Sequence, residues 1–389
     1  MPASCVPLAQ ESAPDLSGDL HIFPVARCAD RIPDERCRRH ESWVCAVEMP
    51  IRRLITFGAV VCSAAVLAAQ SGVVLNEPLV GRQVFPPTNW WNQDVSAAPL
   101  DPSSTAIINW ISGRTGGNTT AVRRLHPDFG PPPYGFPYIV VPGSQPLVPV
   151  TFGYADESDP GAPGAPPGYP IPSEAKTQPH YIEGDVPGGG PDGDRHVLMI
   201  DRDRWLLFET FATQWNAAAG RWEAGSGAVF NLSTNDRRPD TWTSADAAGL
   251  AIFPGLIRYD EAFGTAEIRH AFRATTRATN GYVWPASHRA GSTAGAPPMG
   301  ARLRLKASKN LSGYSASVQR IFRAMQQYGL IVADNGSDMY ISGTMDARWN
   351  NDDLNPAFAS LTADDFEVIQ LGWVGNSGPR PPTNLRIIR

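Results

Sequence analysis

His196-Val197-Leu198-Met199-Ile200-Asp201-Arg202-Asp203-Arg204-Trp205-Leu206-Leu207-Phe208-Glu209 is the stretch that decides the fold. Two runs of aliphatic and aromatic residues flank four charged ones, the pattern of two strands joined by a polar turn. With an even, symmetric loop, Ile200 faces Trp205, Leu198 faces Leu207, and His196 directly opposes Glu209. Residues opposed in this way share a face, with Cβ atoms roughly 5 Å apart. Val197, Met199, Leu206 and Phe208 would fill the other face.

Outward from this pair, similar short runs recur at 227–232, 255–259, 267–274, 281–285, 301–307, 329–334 and 338–342, separated by turn clusters. Such spacing predicts a mainly β fold, an antiparallel β-sandwich or jelly-roll-like single domain. Asn335-Gly336 sits between two of these runs and reads as a two-residue hairpin turn. One helix interrupts the strands, Ser315 to Tyr328, with Val318, Ile321, Phe322, Met325 and Tyr328 at spacings of three and four and Gly329 as its stop. A short helix runs from Ser103 or Ser104 to Ile111, and another begins at Thr243 or Ser244, whose hydroxyl can cap the amides near Asp246. Seventeen of the 37 prolines lie between Pro127 and Pro191, so continuous helix is excluded there and long Pro/Gly-rich loops are expected. Strand-like runs at Tyr138 to Val141 and Leu147 to Phe152 interrupt that segment, which favours a loop inside one domain over a linker between two.

The chain has 389 residues, 42% hydrophobic and 18% charged, a globular composition with a net charge of -5. That charge argues against a general nucleic-acid binder, which needs a basic surface. All five cysteines lie within the first 62 residues. Met49-Pro50-Ile51-Arg52-Arg53 followed by the uncharged run from Leu54 to Ala69 reads as a secretory signal peptide, too short to span a bilayer. The expected organisation is an upstream stretch 1–48 outside the working protein, a signal peptide 49–70, a single β-rich domain 71–374 and a flexible tail 375–389. The working chain is then secreted or periplasmic, free of cysteine, and without stable membrane insertion after cleavage.

The runs GDRHVLMIDRD, RRPDTWTSADAAGL, PGLIRYDE, YVWPASH, PPMGARLRLKAS and YGLIVADNGS resemble a group of uncharacterised exported bacterial proteins. The resemblance covers most of residues 85 to 370. It implies export and a single domain, and it implies no activity.

Several residues are candidates for chemistry. His196 and Glu209, opposed at the end of an apolar strand pair, could form an acid/base dyad; the competing reading is a buried structural pair. His270 and His288 lie on other strand ends, and three imidazoles with Glu209 would hold a divalent metal such as zinc if the sheet brought them together. No motif demands a cofactor. Arg302, Arg304 and Lys306 alternate with Leu303 and Leu305, placing three cations on one strand face, suited to an anionic polymer unless carboxylates neutralise them. Trp242, Trp284 and Trp349 lie among polar or turn residues, as sugar-stacking indoles would, or anchor loops instead.

These features point to a carbohydrate-active protein, either a hydrolase or a lyase acting in a groove. Hydrolysis would use Glu209 with Asp246 or Asp260 as paired carboxylates. Elimination on a uronate would use His196 or His270 as base, with Arg304 or Lys306 offsetting charge. The alternative is a non-catalytic glycan- or surface-binding protein. Convergence of His196, Glu209, His270 and the 302–306 cations in one groove would favour the enzyme, and scatter would favour binding or structure.

Overall fold

The computed structural model describes residues 72–115 and 123–375. They fall within one compact unit. The expected signal peptide, the upstream stretch with its cysteines and the tail beyond Gly375 lie outside the described residues.

Among the described residues, fourteen strands carry the fold. In the first half they are β1 (Val74–Leu75), β2 (His126–Asp128), β3 (Tyr138–Val141), β4 (Val150–Phe152), β5 (Val197–Asp201), β6 (Leu206–Phe211), β7 (Gln214–Asn216), β8 (Arg221–Ala224) and β9 (Ser226–Asn231). β10 (Phe272–Thr276), β11 (Arg302–Leu305), β12 (Leu330–Asn335), β13 (Tyr340–Ser342) and β14 (Phe366–Val368) follow. The α-helices are α1 (Ser104–Ile111), α2 (Tyr259–Ala262), α3 (Ala316–Gln327) and α4 (Asn351–Ala359). None of the helices described is long and apolar enough to cross a membrane.

The strands form a five-stranded sheet β1-β3-β5-β6-β9, a six-stranded sheet β14-β11-β12-β10-β13-β2 and a small sheet β4-β8-β7. The fold is therefore mainly β. The two large sheets share one core: Leu198, Ile200, Leu207 and Phe230 of the first belong to the same buried cluster as Phe272, Leu303, Ile331 and Ile341 of the second. The opposite face of the five-stranded sheet, with Ile139, Val141, Val197, Met199 and Phe208, is covered by Tyr169, Ile171, Tyr181, Ile182 and Trp222. Both faces are dry, which explains why β3 and β5 are apolar without alternation.

Pairing is mixed. β3 runs parallel to β5, β4 to β8, β10 to β12 and β13 to β2, while the remaining ladders are antiparallel. Parallel neighbours need a long crossover. The proline-rich segment 142–196 is that crossover between β3 and β5, and its side chains supply the second core. β10 and β12 are likewise joined through β11 and α3. The hairpin expected at Asn335-Gly336 does not form, because β10 lies between β12 and β13 and pairs with each. Neither turn residue has a positive φ, the requirement of the expected turn.

β5 and β6 are antiparallel neighbours, as the opening stretch predicts, but two residues out of the symmetric register. Asp201 pairs with Leu206, and Leu198 with Glu209. The Asp201 carboxylate accepts the Asp203 and Arg204 amides at 3.0 and 2.9 Å, and Trp205 adopts φ +57°, so the loop is 202–205. A slip of two preserves the faces of both strands. His196 therefore remains on the face of Glu209, yet its ring packs against Phe211 and Phe136, with centroids 5.5 and 5.3 Å away.

α3 begins at Ser315, whose hydroxyl accepts the Val318 amide, and buries Val318, Ile321, Phe322 and Met325. At Ser244 the hydroxyl accepts the Asp246 amide at 2.9 Å as expected, but also donates to carbonyls, and a turn forms in place of a helix.

Candidate functional site

The acid/base candidates His196, Glu209, Asp246, Asp260 and His270 divide between two places. The first is a buried polar network between the sheets. His196, 2% exposed, brings Nδ1 to 2.6 Å from the Glu183 carboxylate and Nε2 to 2.9 Å from the Ala245 carbonyl. Both partners are acceptors, so the ring donates from both nitrogens. Burial opposes that charge, but the Glu183 carboxylate outweighs it and carries the imidazole up to about 9.

Glu209 is fully buried on the central strand β6. Its carboxylate accepts the Ile252 amide at 2.9 and 3.0 Å and the Phe253 amide at 2.8 Å, closing the turn that precedes α2. Burial pushes this carboxyl up to about 7 against the pull of those amides. Asp246 is not its partner. The Asp246 carboxylate instead receives Nε and Nη2 of Arg273 at 3.1 and 2.9 Å, and the same guanidinium reaches Asp334 and the Ser342 hydroxyl, each at 2.8 Å. Burial lifts the Asp334 carboxyl to about 6 despite that contact.

Both ring nitrogens of His196 and every nitrogen of Arg273 are engaged inside this network, so the imidazole offers no free base. His196 and Glu209 do not form the expected dyad: each is committed to a different partner, Glu183 or the 252–253 amides. Glu183 and Arg273, the groups that organise the network, were missed from sequence. They come from the long crossover and from β10, and no spacing announces either contact.

The second place is a cavity of about 540 Å³ between the segment 78–84 and the segment 258–270. Pro78, Leu79, Val84 and Pro254 give it an apolar side, while Asn92, Arg258, Asp260, Glu261 and His270 give it a polar one. α2 sets the polar side: Arg258 precedes the helix, and its Nη2 donates to Glu261 at 2.5 Å. His270 meets the other Glu261 oxygen through Nε2 at 3.0 Å and the Ala271 carbonyl through Nδ1 at 2.9 Å.

The adjacent carboxyls of α2 are pushed in opposite directions. Burial raises Asp260, whereas the Arg258 and His270 charges overcome burial at Glu261 and hold it at about 2. On the rim, Val80 is 90% exposed at φ +49°, a conformation that β-branched residues rarely adopt. Of the sequence candidates, Asp260 and His270 meet here. Arg258 and Glu261 flank Asp260 in Pro254-Gly255-Leu256-Ile257-Arg258-Tyr259-Asp260-Glu261, so the signal was present but unused.

The cationic strand face serves the fold. Arg302 donates to the Tyr328, Trp90 and Gln93 carbonyls, and burial pushes its guanidinium down to about 9. Arg304 binds Glu367 and the Val95, Ser96 and Ala98 carbonyls, and Lys306 donates to the Asp364 carbonyl. Glu367 pairs with Arg304, and backbone carbonyls take up the other donors of the stripe.

Trp349 and Trp284 also face inward. Trp349 is 3% exposed, edge-on to Phe129 and Tyr259, with its indole N–H on the Thr344 carbonyl. Trp284 is buried edge-on against Trp90. Trp242 is half-buried, with the Arg238 guanidinium 5.3 Å from its ring centre. His288 is bound through Nδ1 to the Ala247 carbonyl at 2.8 Å. The three histidines thus have separate partners, and among the described residues no group of three or more His, Cys, Asp or Glu is placed to hold a metal ion.

Comparison with protein-family models, curated proteins and solved structures gives no match to this chain.

Proposed function

We propose that this is an exported glycan-binding protein that holds a sugar unit in the cavity beside α2. The cavity itself carries the reading. A volume of about 540 Å³ lies in the range of about 300–1,000 Å³ usual for small-molecule sites. Its proline and leucine wall suits the C–H face of a sugar ring, and Asp260 and the Arg258–Glu261–His270 group suit its hydroxyls. The scatter of the other candidate groups favours binding over a shared catalytic groove. Export rests on the basic region at Arg52-Arg53 and the uncharged run after it.

Glycoside hydrolysis in the same cavity is the second reading, favoured by the opposite displacements of Asp260 and Glu261. A carboxyl raised and a carboxyl lowered are suited to general acid and general base, respectively. The lyase reading loses support, because both ring nitrogens of His196 and His270 are engaged and Arg304 and Lys306 hold backbone carbonyls.

Affinity electrophoresis and calorimetry of the purified full chain against neutral and uronate glycans test binding, with reducing ends recorded in parallel. Retardation without new ends supports the binding protein. New ends that vanish in Glu261→Gln support the hydrolase. Absence of both overturns both readings.

A further inference from the structure

We propose that the ligand is a carboxylated sugar and that the Arg258 guanidinium receives its carboxylate. This rests on the reading of the cavity as a glycan site and adds the charge of the ligand.

Among the described residues four arginines are buried: Arg238, Arg258, Arg273 and Arg302. Three are satisfied at every nitrogen. Arg238 donates to the Thr243 carbonyl, Asp159 and the Glu157 carbonyl. Arg273 and Arg302 are saturated as described above. Arg258 is the exception: Nη2 reaches Glu261, while Nε and Nη1 are buried without a partner. Buried donors of a charged group are costly to leave unmade, and this one lines the cavity.

The charge balance agrees. Arg82, Arg258 and Arg269 line the cavity with Asp260, Glu261 and Glu267. Glu267, however, is already claimed from α3 by Arg323, through bonds of 2.8 and 2.9 Å. Glu261 is shared between Arg258 and His270. The lining is thus left short of negative charge, which a monoanion would supply. A carboxylate matches guanidinium donors in charge and geometry. Pro78, Leu79 and Pro254 leave room for the apolar ring face of a uronate beside it.

The test is calorimetric titration of the full-length protein with D-glucuronate, with D-glucose, which has a neutral hydroxymethyl group in place of the carboxylate, and with acetate, which lacks the ring. Glucuronate should bind at least about tenfold tighter than either. Arg258→Gln should erase the preference over glucose. Because Arg258 also braces Glu261, a second variant is needed: Ala266→Trp, at an exposed position on the cavity wall, should abolish glucuronate binding in a folded protein. Equal binding of glucose and glucuronate overturns the carboxylate assignment and leaves the glycan reading standing. Acetate binding as tightly as glucuronate overturns the sugar part. Glucuronate binding unchanged in Ala266→Trp overturns the location, and no binding of any probe overturns the glycan reading together with this one.

Discussion

The Arg273 guanidinium and the Asp246 carboxylate meet through two hydrogen bonds, 2.9 and 3.1 Å long, with both side chains buried between the sheets. Removing one member of such a pair strands the other charge in a low-dielectric interior. Asp246→Ala should therefore cost about 3–5 kcal/mol, read from the denaturant midpoint. The Asp334 side chain, bonded at 2.8 Å, is 24% exposed where Asp246 is fully buried, so Asp334→Ala should cost less than Asp246→Ala. Equal losses would show that Asp246 is not the principal partner.

Glu209 and His196 should each make stability fall as pH rises, in two steps. Asp334, raised from 3.8 to about 6, shares the lower step with Glu209, and the upper step belongs to His196. Glu209 has its folded value raised from 4.5 to about 7, so its neutral form is favoured in the fold. Its contribution is complete below 4.5 and is lost as pH climbs through 7. His196 is raised from 6.5 to about 9, so its charged form is favoured; its contribution is complete below 6.5 and is lost as pH climbs through 9. Chemical denaturation from pH 4.5 to 9.5 should show Glu209→Gln reducing the lower step and His196→Ala the upper one. A single step removed by both variants would mean that the two groups titrate as one dyad.

The contrast between these two residues shows what could be read from the chain. The strand pair, its turn and the division of its side chains between two faces follow from apolar patterning, which has a period of two and survives a register slip of two. The partner of Glu209 does not, because it depends on Asp201 closing the turn through the 203 and 204 amides and on where residues 252–253 are carried by distant sequence. The same holds for the sheet order. Asn335-Gly336 is locally suited to a hairpin, yet β10, sixty residues earlier in the chain by position 275, takes the place between its flanking strands. Helix α3 was fully legible, since its cap, apolar stripe and terminating glycine are all local. Of the cavity, only Asp260 and His270 were found, because the wall at 78–84 has neither periodicity nor a motif.

Trp349 tests whether the indoles bind or build. It is closed in by Phe129, Tyr259 and Phe263 and bonded to the Thr344 carbonyl. Trp349→Ala should cost about 3–5 kcal/mol in stability, as for other large aromatic side chains removed from a core. Trp349→Phe should recover much of that loss, short of the hydrogen bond. Glycan affinity per folded molecule should not change in Trp349→Phe; a selective loss of affinity there would return the indole to the binding site.

Arg304 provides a test of the cationic strand. Its Nη1 gathers the Val95, Ser96 and Ala98 carbonyls, at 2.5, 2.8 and 3.1 Å, while Nε and Nη2 hold Glu367 on β14. The segment 95–98 thus gains three hydrogen bonds from one charged side chain, which also ties it to the sheet edge. Arg304→Gln should cost about 1–3 kcal/mol, because the carbonyls lose their shared donor and Glu367 its counter-charge. The loss should be local: hydrogen exchange at the Val95 and Ala98 amides should accelerate, while the amides of β5 and β6 keep their protection relative to global stability. Lys306→Gln, which removes a single bond to the Asp364 carbonyl, should leave the 95–98 amides as they were. If Arg304→Gln instead left folding and exchange intact but weakened retention by anionic polysaccharide, the strand face would be a polymer-binding surface rather than a clamp on the chain's own backbone.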